Sequence, residues 1–551
     1  MTRRRSLLTG KLSRRTMLRN MGALGLGLAG VGIAGCTTTT SAPTTAATTA
    51  ATATTTPSRM GGTFNFGSYK ITQPDPRYGE GNAIGYFAAP CFEPLLGLDL
   101  DWNTVGVLCT DFSTTDDMNY DVELREDVTF HDGTDFTSTD VATNFDFMRG
   151  LIPDQVMHRY VSWFTPFTSV DIVDSHNLQL GMDKPWPNAV SALSFMNPTY
   201  IMKDSEAKIS EPIDLANGTG PYKLTEYVDG SHMAYERYDD WWGAGKDGYW
   251  EGEQYFDELN YKVVTDTSAR VVELENGTVD CIYYQDNPSH MIVLENDDLD
   301  YVSHDDFMVQ RMFFNVRQEP MSDVRMREAV FCAINFDEVK TIMHPKDSYT
   351  PDFFANSPYE DANLTYEIYD PDHAIDLVEA AVADGIDPSV TFPAGVGAAY
   401  MRTNMYASYL QLAGINVEVT PQVGPGWIMA IRGANFDIGD GMAMMPAVNI
   451  WEFTYMGSYS ESHMSGVDDS NWSGINDPVL DQHILNIVKS SDPDVIHDDV
   501  VAWGERAVEM HYFHQEFHEN RTYAFNKKVH GFQGDGSFRR GFPITDCWKE
   551  T

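Results

Sequence analysis

The sequence is short of lysine, of cysteine and of long apolar runs. Only 14 of its 551 residues are Lys, and 37 Lys and Arg face 81 Asp and Glu for a net charge of −44. A surface this acidic repels phosphate backbones, so nucleic-acid binding by charge neutralisation has no basis. The shortage of cations is uneven. Residues 1–36 hold seven Arg or Lys and no acid, whereas residues 37–551 hold 30 basic and 81 acidic groups, a net of −51. None of the six Cys stands in a CxxC spacing, which removes the usual signature of a zinc or dithiol site. Beyond Cys36 remain Cys91, Cys109, Cys281, Cys332 and Cys547, an odd number that allows one or two disulfides and leaves at least one thiol unpaired. After residue 36 no apolar stretch approaches the roughly 18 residues that a membrane helix needs. No GxSxG or HExxH marks a hydrolase, and no GxxxxGK[ST] marks a nucleotide site.

What is present is a chain able to fold. Hydrophobic residues make up 42% and aromatic residues 12%, too many for an acidic disordered chain. Acid excess on a well-packed body reads as the surface of a salt-adapted, haloarchaeal organism. Molar salt shortens the Debye length to roughly 3 Å and makes such self-repulsion tolerable.

The N-terminus reads as an address. Arg3, Arg4, Arg5 and Lys11 form a basic region, and Ser13-Arg14-Arg15-Thr16-Met17-Leu18 is a twin-arginine pattern. An apolar, Gly-rich run from Met21 to Ala34 follows and ends at Ile33-Ala34-Gly35-Cys36, which resembles a lipobox with Cys36 as the lipid attachment point. Residues 37–59 are dominated by Thr, Ala, Ser and Pro, with no apolar face: a flexible tether. The expectation is an exported body held by lipid at the outer face of the cell membrane.

Short strands alternate with helices through the rest, which predicts α/β lobes. Gly61–Gly67 opens as a strand. Residues 119–130 read as two strands about the turn Arg125-Glu126-Asp127, and Thr137 with Asp140 reads as a capping box opening a helix. Further on, Tyr366–Pro371 leads into a helix over 372–384, followed by a strand at 390–392, a helix over 400–413 and a strand at 415–419: a βαβ arrangement. No GxGxxG follows its first strand. His511, His514 and His518, at spacings of three and four, fall on one face of a predicted helix. With no accompanying Cys they read as surface histidines rather than a metal site.

Several blocks, in this order, carry a family resemblance: Phe92-Glu93-Pro94-Leu95-Leu96; the run from Leu124 through Phe130-His131-Asp132-Gly133 to Thr137; Asn217-Gly218-Thr219-Gly220-Pro221-Tyr222-Lys223-Leu224; Tyr238-Asp239-Asp240-Trp241-Trp242-Gly243; Asp323-Val324-Arg325-Met326-Arg327-Glu328-Ala329-Val330; and Asn471-Trp472-Ser473-Gly474. From about Gly61 to Phe532 the chain resembles the extracytoplasmic solute-binding proteins of peptide/nickel-type ABC importers, family 5. The resemblance implies an α/β fold: a two-lobed, periplasmic-binding-protein-like clam of type II, the large peptide-binding class, with an extra subdomain in the first lobe. By that analogy residues 1–36 are the signal and 37–59 the tether. Lobe one combines 60–96, 212–310 and 520–551, the subdomain is 97–211 and lobe two is 311–519. Expected partners are ABC permease subunits with cytoplasmic ATPases, a small solute, and the membrane through the lipid on Cys36. No nucleic acid, cofactor, metal or catalysis is expected, and the body is expected to be a monomer.

The resemblance also frames the site. In peptide-binding relatives the strand and loop matching Phe436–Trp451 bring an acid to the ligand's ammonium, yet here no acid lies between Gly441 and Trp451. An unpaired buried ammonium is costly, so a free-amine peptide held in that way is put in question. Met442, Met444 and Met445 offer soft apolar surface instead, and Asn449 and Trp451 an amide and a ring. Core packing of the three Met is an equal alternative. Tyr86 and Trp472 are further cleft candidates by position. The His131-Asp132-Gly133 block reads as a turn rather than a catalytic or metal site. Arg325 and Arg327 read as partners of neighbouring acids rather than of a ligand carboxylate, with Asp323 as helix cap. The leading expectation is a lipid-anchored receptor that captures peptides or similar solutes. Oligosaccharides, nickel chelates, a sensory role and a tethered hydrolase are the alternatives.

Overall fold

The computed structural model describes residues 5–6 and most of the chain from 59 to 550; the longer stretches outside the description are 7–58, 79–86, 156–163, 344–348, 351–363, 445–470 and 534–543. Arg14, Arg15, Cys36, Tyr86, Met445, Asn449 and Trp451 lie outside the described residues, as do residues 366–368 of the stretch leading into the helix after Asp370. No described helix is long and apolar enough to cross a membrane.

One sheet runs through both halves. Its core strand, Thr63–Ser68, pairs in parallel with Glu258–Val263 and Cys281–Tyr284, and the antiparallel strands His232–Arg237 and Tyr222–Val228 extend one side. On the other side Cys281–Tyr284 pairs with Phe513–Asn526, that strand pairs with Leu299–Phe314, and Leu299–Phe314 pairs with Ile438–Met444. Leu299–Phe314 and Phe513–Asn526 have 16 and 14 residues. Each therefore spans roughly 50 Å or less, enough to belong to both halves. Their pairing is interrupted twice, between Asp305 and Val309 and between Gln310 and Arg311. The lobe limits expected at 310/311 and 519/520 thus fall within continuous strands, not in loops.

The second half also contains the expected βαβ pattern. Ser389–Gly395 and Asn416–Gln422 pair in parallel, with the helix Ala398–Leu412 between them. Pro371–Ala383 is a helix for readable reasons: the Asp370 side chain accepts from His373 N–H, Pro371 sits in the first turn, and Gly385 at φ 96° allows the stop. Its inward residues Ala374, Val378 and Ala381 are spaced by four and three and are buried.

A separate antiparallel sheet joins Cys109–Thr114, Asn119–Leu124, Asn177–Met182 and Phe167–Ile172. Asn119–Leu124 buries Tyr120, Val122 and Leu124, the alternation of a half-buried strand. The second strand expected over 128–130 does not form, and only an isolated bridge between Thr129 and Asp135 remains. The backbone groups there are spent on a local turn instead: Phe130 N–H donates to the Thr134 carbonyl at 2.8 Å and Phe136 N–H to the Val128 carbonyl at 3.1 Å. The neighbouring Arg125 guanidinium lies 4.0 Å from the Trp242 ring centre and pairs with Glu251 at 3.6 Å. The helix Ser138–Met148 opens as read, with Thr137 N–H and Oγ1 both donating to Asp140 Oδ2, at 2.8 and 3.0 Å.

Four of the family-like blocks meet in one knot of this half. Glu93 is buried and accepts from Thr219 Oγ1 at 2.9 Å, Trp241 Nε1 at 3.1 Å and Trp242 Nε1 at 2.8 Å. His131 Nε2 lies 2.9 Å from the Gly220 carbonyl, and its ring meets Tyr238 edge-on at 4.9 Å. Burial is the main cause that lowers His131 to about 4, against the carbonyl's opposing pull. Gly218 is required because a Cβ there would lie 1.8 Å from the Cys91 carbonyl oxygen. The His131 block is therefore a packing device, its polar groups absorbed by backbone and ring. All five cysteines after Cys36 are buried.

Candidate functional site

The stretch that sequence reasoning marked for the cleft begins on the edge strand Ile438–Met444. Its glycines admit aromatic rings against the backbone. A Cβ at Gly439 would strike Phe313 at 2.5 Å, and one at Gly441 would strike Trp427 at 2.6 Å. Trp472 stands among these rings, 6.4 Å from Phe313 and 6.4 Å from Trp427 at 82°. It is buried, and Arg317 Nη1 donates to its carbonyl at 2.7 Å. Trp472 thus belongs to an aromatic wall behind the strand. Met444 is the last residue of that strand and pairs with Met308.

Beside the wall the fold assembles a buried polar cluster from four distant segments. Asp440 is held at both oxygens: Arg402 donates to Oδ2 from Nε at 3.0 Å and Nη2 at 2.9 Å, and Gln310 Nε2 donates to Oδ1. Arg402 and Tyr406 lie four residues apart on the helix Ala398–Leu412, so they share one face. The Tyr406 hydroxyl donates to Glu516 Oε2. Glu516 comes from Phe513–Asn526 at the register break: Gln515 opposes Arg311 and Phe517 opposes Gln310, which leaves Glu516 as the extra residue of a bulge. Bulges re-aim side chains off the strand's alternation.

The electrostatics follow from burial. Arg402, Asp440 and Glu516 are all buried. Burial opposes the Arg402 charge, but Asp440 and then the other acidic neighbours outweigh it, so its pKa stays above the ordinary arginine value. The Glu516 carboxyl is driven far up, by burial first and by the Asp440 charge second, with Arg402 and the Tyr406 hydroxyl opposing. Glu516 Oε1 is buried and has no hydrogen-bond partner among the described residues.

Two expectations need correction. His511, His514 and His518 do not share a helix. The helix Pro493–Glu509 ends before them, His511 takes φ 48°, and His514 and His518 lie in the strand Phe513–Asn526. There His514 stacks on Phe336 at 4.1 Å. No group of three or more His, Cys, Asp or Glu among the described residues could hold a metal ion. Arg325 pairs with Asp323 and Asp384, both at 2.7 Å, as read from the sequence. Arg327 forms no ion pair among the described residues and instead donates to the carbonyls of Met510, Met321 and Ser322.

Sequence reasoning missed Arg402, Gln310 and Glu516. One signal was available for Arg402: a cation in line with Tyr406 and Leu410 on the apolar stripe of a helix, in a chain so poor in cations. Glu516 carried none, because its segment read as helical.

A continuous sheet that passes between two α/β halves on two long strands defines a two-lobed binding protein. The chain belongs to the bacterial extracellular solute-binding proteins, family 5, whose middle-region model matches residues 103–460. It is 26% identical over 247 residues to the glutathione-binding protein GsiB of Salmonella typhimurium, covering 44% of this chain and 46% of that protein. The chain therefore matches about half the length of that relative. Among solved structures, the periplasmic binding protein DppA of Helicobacter pylori in complex with the peptide STSA superposes with a TM-score of 0.76, 16% identity and coverage of 90% and 99% of the two chains. NikA of Brucella suis in complex with Fe(III)-EDTA superposes at 0.75, with 19% identity and coverage of 89% and 100%. At these identities the two structures establish the fold.

Proposed function

We propose that the protein is the lipid-anchored, extracellular substrate-binding component of an ABC importer. It captures peptides or peptide-like solutes between two closing lobes and delivers them to a membrane permease served by cytoplasmic ATPases. The observation that carries this reading is the sheet of Leu299–Phe314 and Phe513–Asn526, two strands shared by both halves. Strands that cross between lobes can act as the hinge of a clam, and hinge closure lets a solute shift an open–closed equilibrium. The lobes and subdomain are assigned as 60–96 with 212–310 and 520–551, 97–211, and 311–519. Export by the twin-arginine signal at Arg14 and Arg15, attachment at Cys36 and the tether 37–59 place the body at the outer membrane face. The net charge suits molar salt there. Met444, Met445, Asn449, Trp451, Tyr86 and Trp472 remain the proposed cleft contributors. The glutathione-binding relative favours a solute with charged ends over an oligosaccharide.

A thermal-shift panel in molar KCl tests this. A solute present at about 100 times its Kd adds about 2.7 kcal/mol to stability and raises the unfolding midpoint by a few degrees. Di- and tripeptides or glutathione are expected to produce that rise. A panel in which peptides, glutathione, oligosaccharides and nickel chelates all leave the midpoint unmoved contradicts the import reading.

A further inference from the structure

We infer that the Glu516 carboxyl is the subsite for a cationic group of the solute, the ammonium in the case of a peptide; this rests on the solute-binding reading above. A buried cation needs a counter-charge that is not already spent. Asp440 is spent, since Arg402 and Gln310 occupy both its oxygens. Glu516 is different. Oε2 accepts from Tyr406, while Oε1 is buried and unpartnered among the described residues. Leaving a buried acceptor empty is unfavourable, so a side chain kept in that state calls for a reason.

The backbone supplies a second observation. Glu516 is the extra residue of the bulge between the Gln310–Phe517 and Arg311–Gln515 pairs, on the strand that joins both halves. This is where a sheet turns a side chain out of its regular alternation, and bulges concentrate beside binding sites. The bulge sets Glu516 within reach of the Asp440 charge, across Leu299–Phe314 from the edge strand that leads through Gly441 into the stretch marked for the cleft. The carboxylate absent from 441–451 is thus available from a segment some 65 residues downstream in sequence.

The chemistry is consistent. The groups facing Glu516 are Asp440 on the edge strand and Arg402 and Tyr406 on the helix Ala398–Leu412. From Leu299–Phe314, Gln310 is neutral and turned to Asp440, and Arg311 lies over the Phe513 ring at 4.7 Å. Without solute, burial and then the Asp440 charge push the carboxyl's pKa up and so favour its protonated form. An arriving ammonium favours the carboxylate. The O–H bond of Glu516 then breaks, its proton passes to solvent, and the N–H groups of the ammonium donate to the freed oxygen.

Titration calorimetry in molar KCl at neutral pH tests this with glutathione and glycyl-leucine as probes, each beside its N-acetylated form. Two buffers of different ionisation enthalpy count protons. The full-length protein is expected to bind the free amines about 10- to 100-fold more tightly than the acetylated forms and to release about one proton per solute. Glu516→Gln is expected to remove that preference and the proton release while leaving the acetylated forms bound as before, which also shows the variant is folded. Unchanged free-amine affinity in the variant, or an equal loss for both forms, overturns the assignment. If the unaltered protein binds only the acetylated forms, solute binding stands and the Glu516 subsite falls. If it binds none of the four probes, the subsite falls together with the peptide reading.

Discussion

Glu93→Ala is expected to destabilise the protein by about 4 kcal/mol, measured as the change in urea unfolding at constant molar KCl. The Glu93 carboxyl is the shared acceptor for Thr219, Trp241 and Trp242. Removing it orphans three buried donors, each at about 1–3 kcal/mol, and opens a cavity. The loss should appear as unfolding of the half that holds the knot, because that carboxyl ties its own segment to two others, at Thr219 and at Trp241-Trp242. A pH profile adds a sharper signature. Burial raises Glu93 from its ordinary 4.5 to about 7, against the three donors and Arg125. A raised folded-state pKa contributes stability that is complete below pH 4.5 and is lost as pH rises through about 7. By linkage that loss is about 3 kcal/mol. Glu93→Gln has no proton to lose and should flatten this part of the profile. An unchanged slope between pH 4.5 and 7 would place the titration on another group.

Arg402→Ala is the second large effect, expected at about 3–5 kcal/mol. It leaves Asp440 buried with Gln310 as its remaining partner, and an uncompensated buried charge is among the costliest single defects. Removing both charges should cost less than removing one. The double variant Arg402→Met with Asp440→Leu is therefore expected to recover most of the stability lost by Arg402→Ala, and a double-mutant cycle reads the coupling directly. If the two single losses simply add, the pair does not interact in the way its geometry indicates. Since the cluster sits at the crossing strands, Arg402→Ala is also expected to weaken solute binding.

The parts of the fold that could be read from sequence are those that local chemistry decides. The helix Pro371–Ala383 has its cap, its proline and its glycine stop within a single stretch. The parallel strands beyond it are alternating or apolar runs bounded by turns. The blocks around Glu93, His131, Gly218 and Trp241 were legible as a family pattern, but not as one knot, since neither spacing nor composition says that Thr219, Trp241 and Trp242 converge on one carboxyl with His131 packed beside them. The histidines at 511, 514 and 518 misled because spacings of three and four imitate a helix. Pairing with Leu299–Phe314 prevails there, and the left-handed residue His511 ends the preceding helical run. Glu516 was invisible for the same reason. A bulge is a property of two strands in register, and no single segment encodes it. No acid stands in 441–451, but an acid can be brought toward a site from another strand of the same sheet.

Equilibrium dialysis of the full chain in molar KCl tests the proposed role of this acidic body as a receptor for a small peptide-like solute. The opposing chamber holds a pooled mixture of short peptides, glutathione, oligosaccharides and nickel–histidine, and the retained solute is identified by mass. Retention of peptide-like members at one solute per chain is expected. Retention of none, or of oligosaccharides alone, would contradict that role.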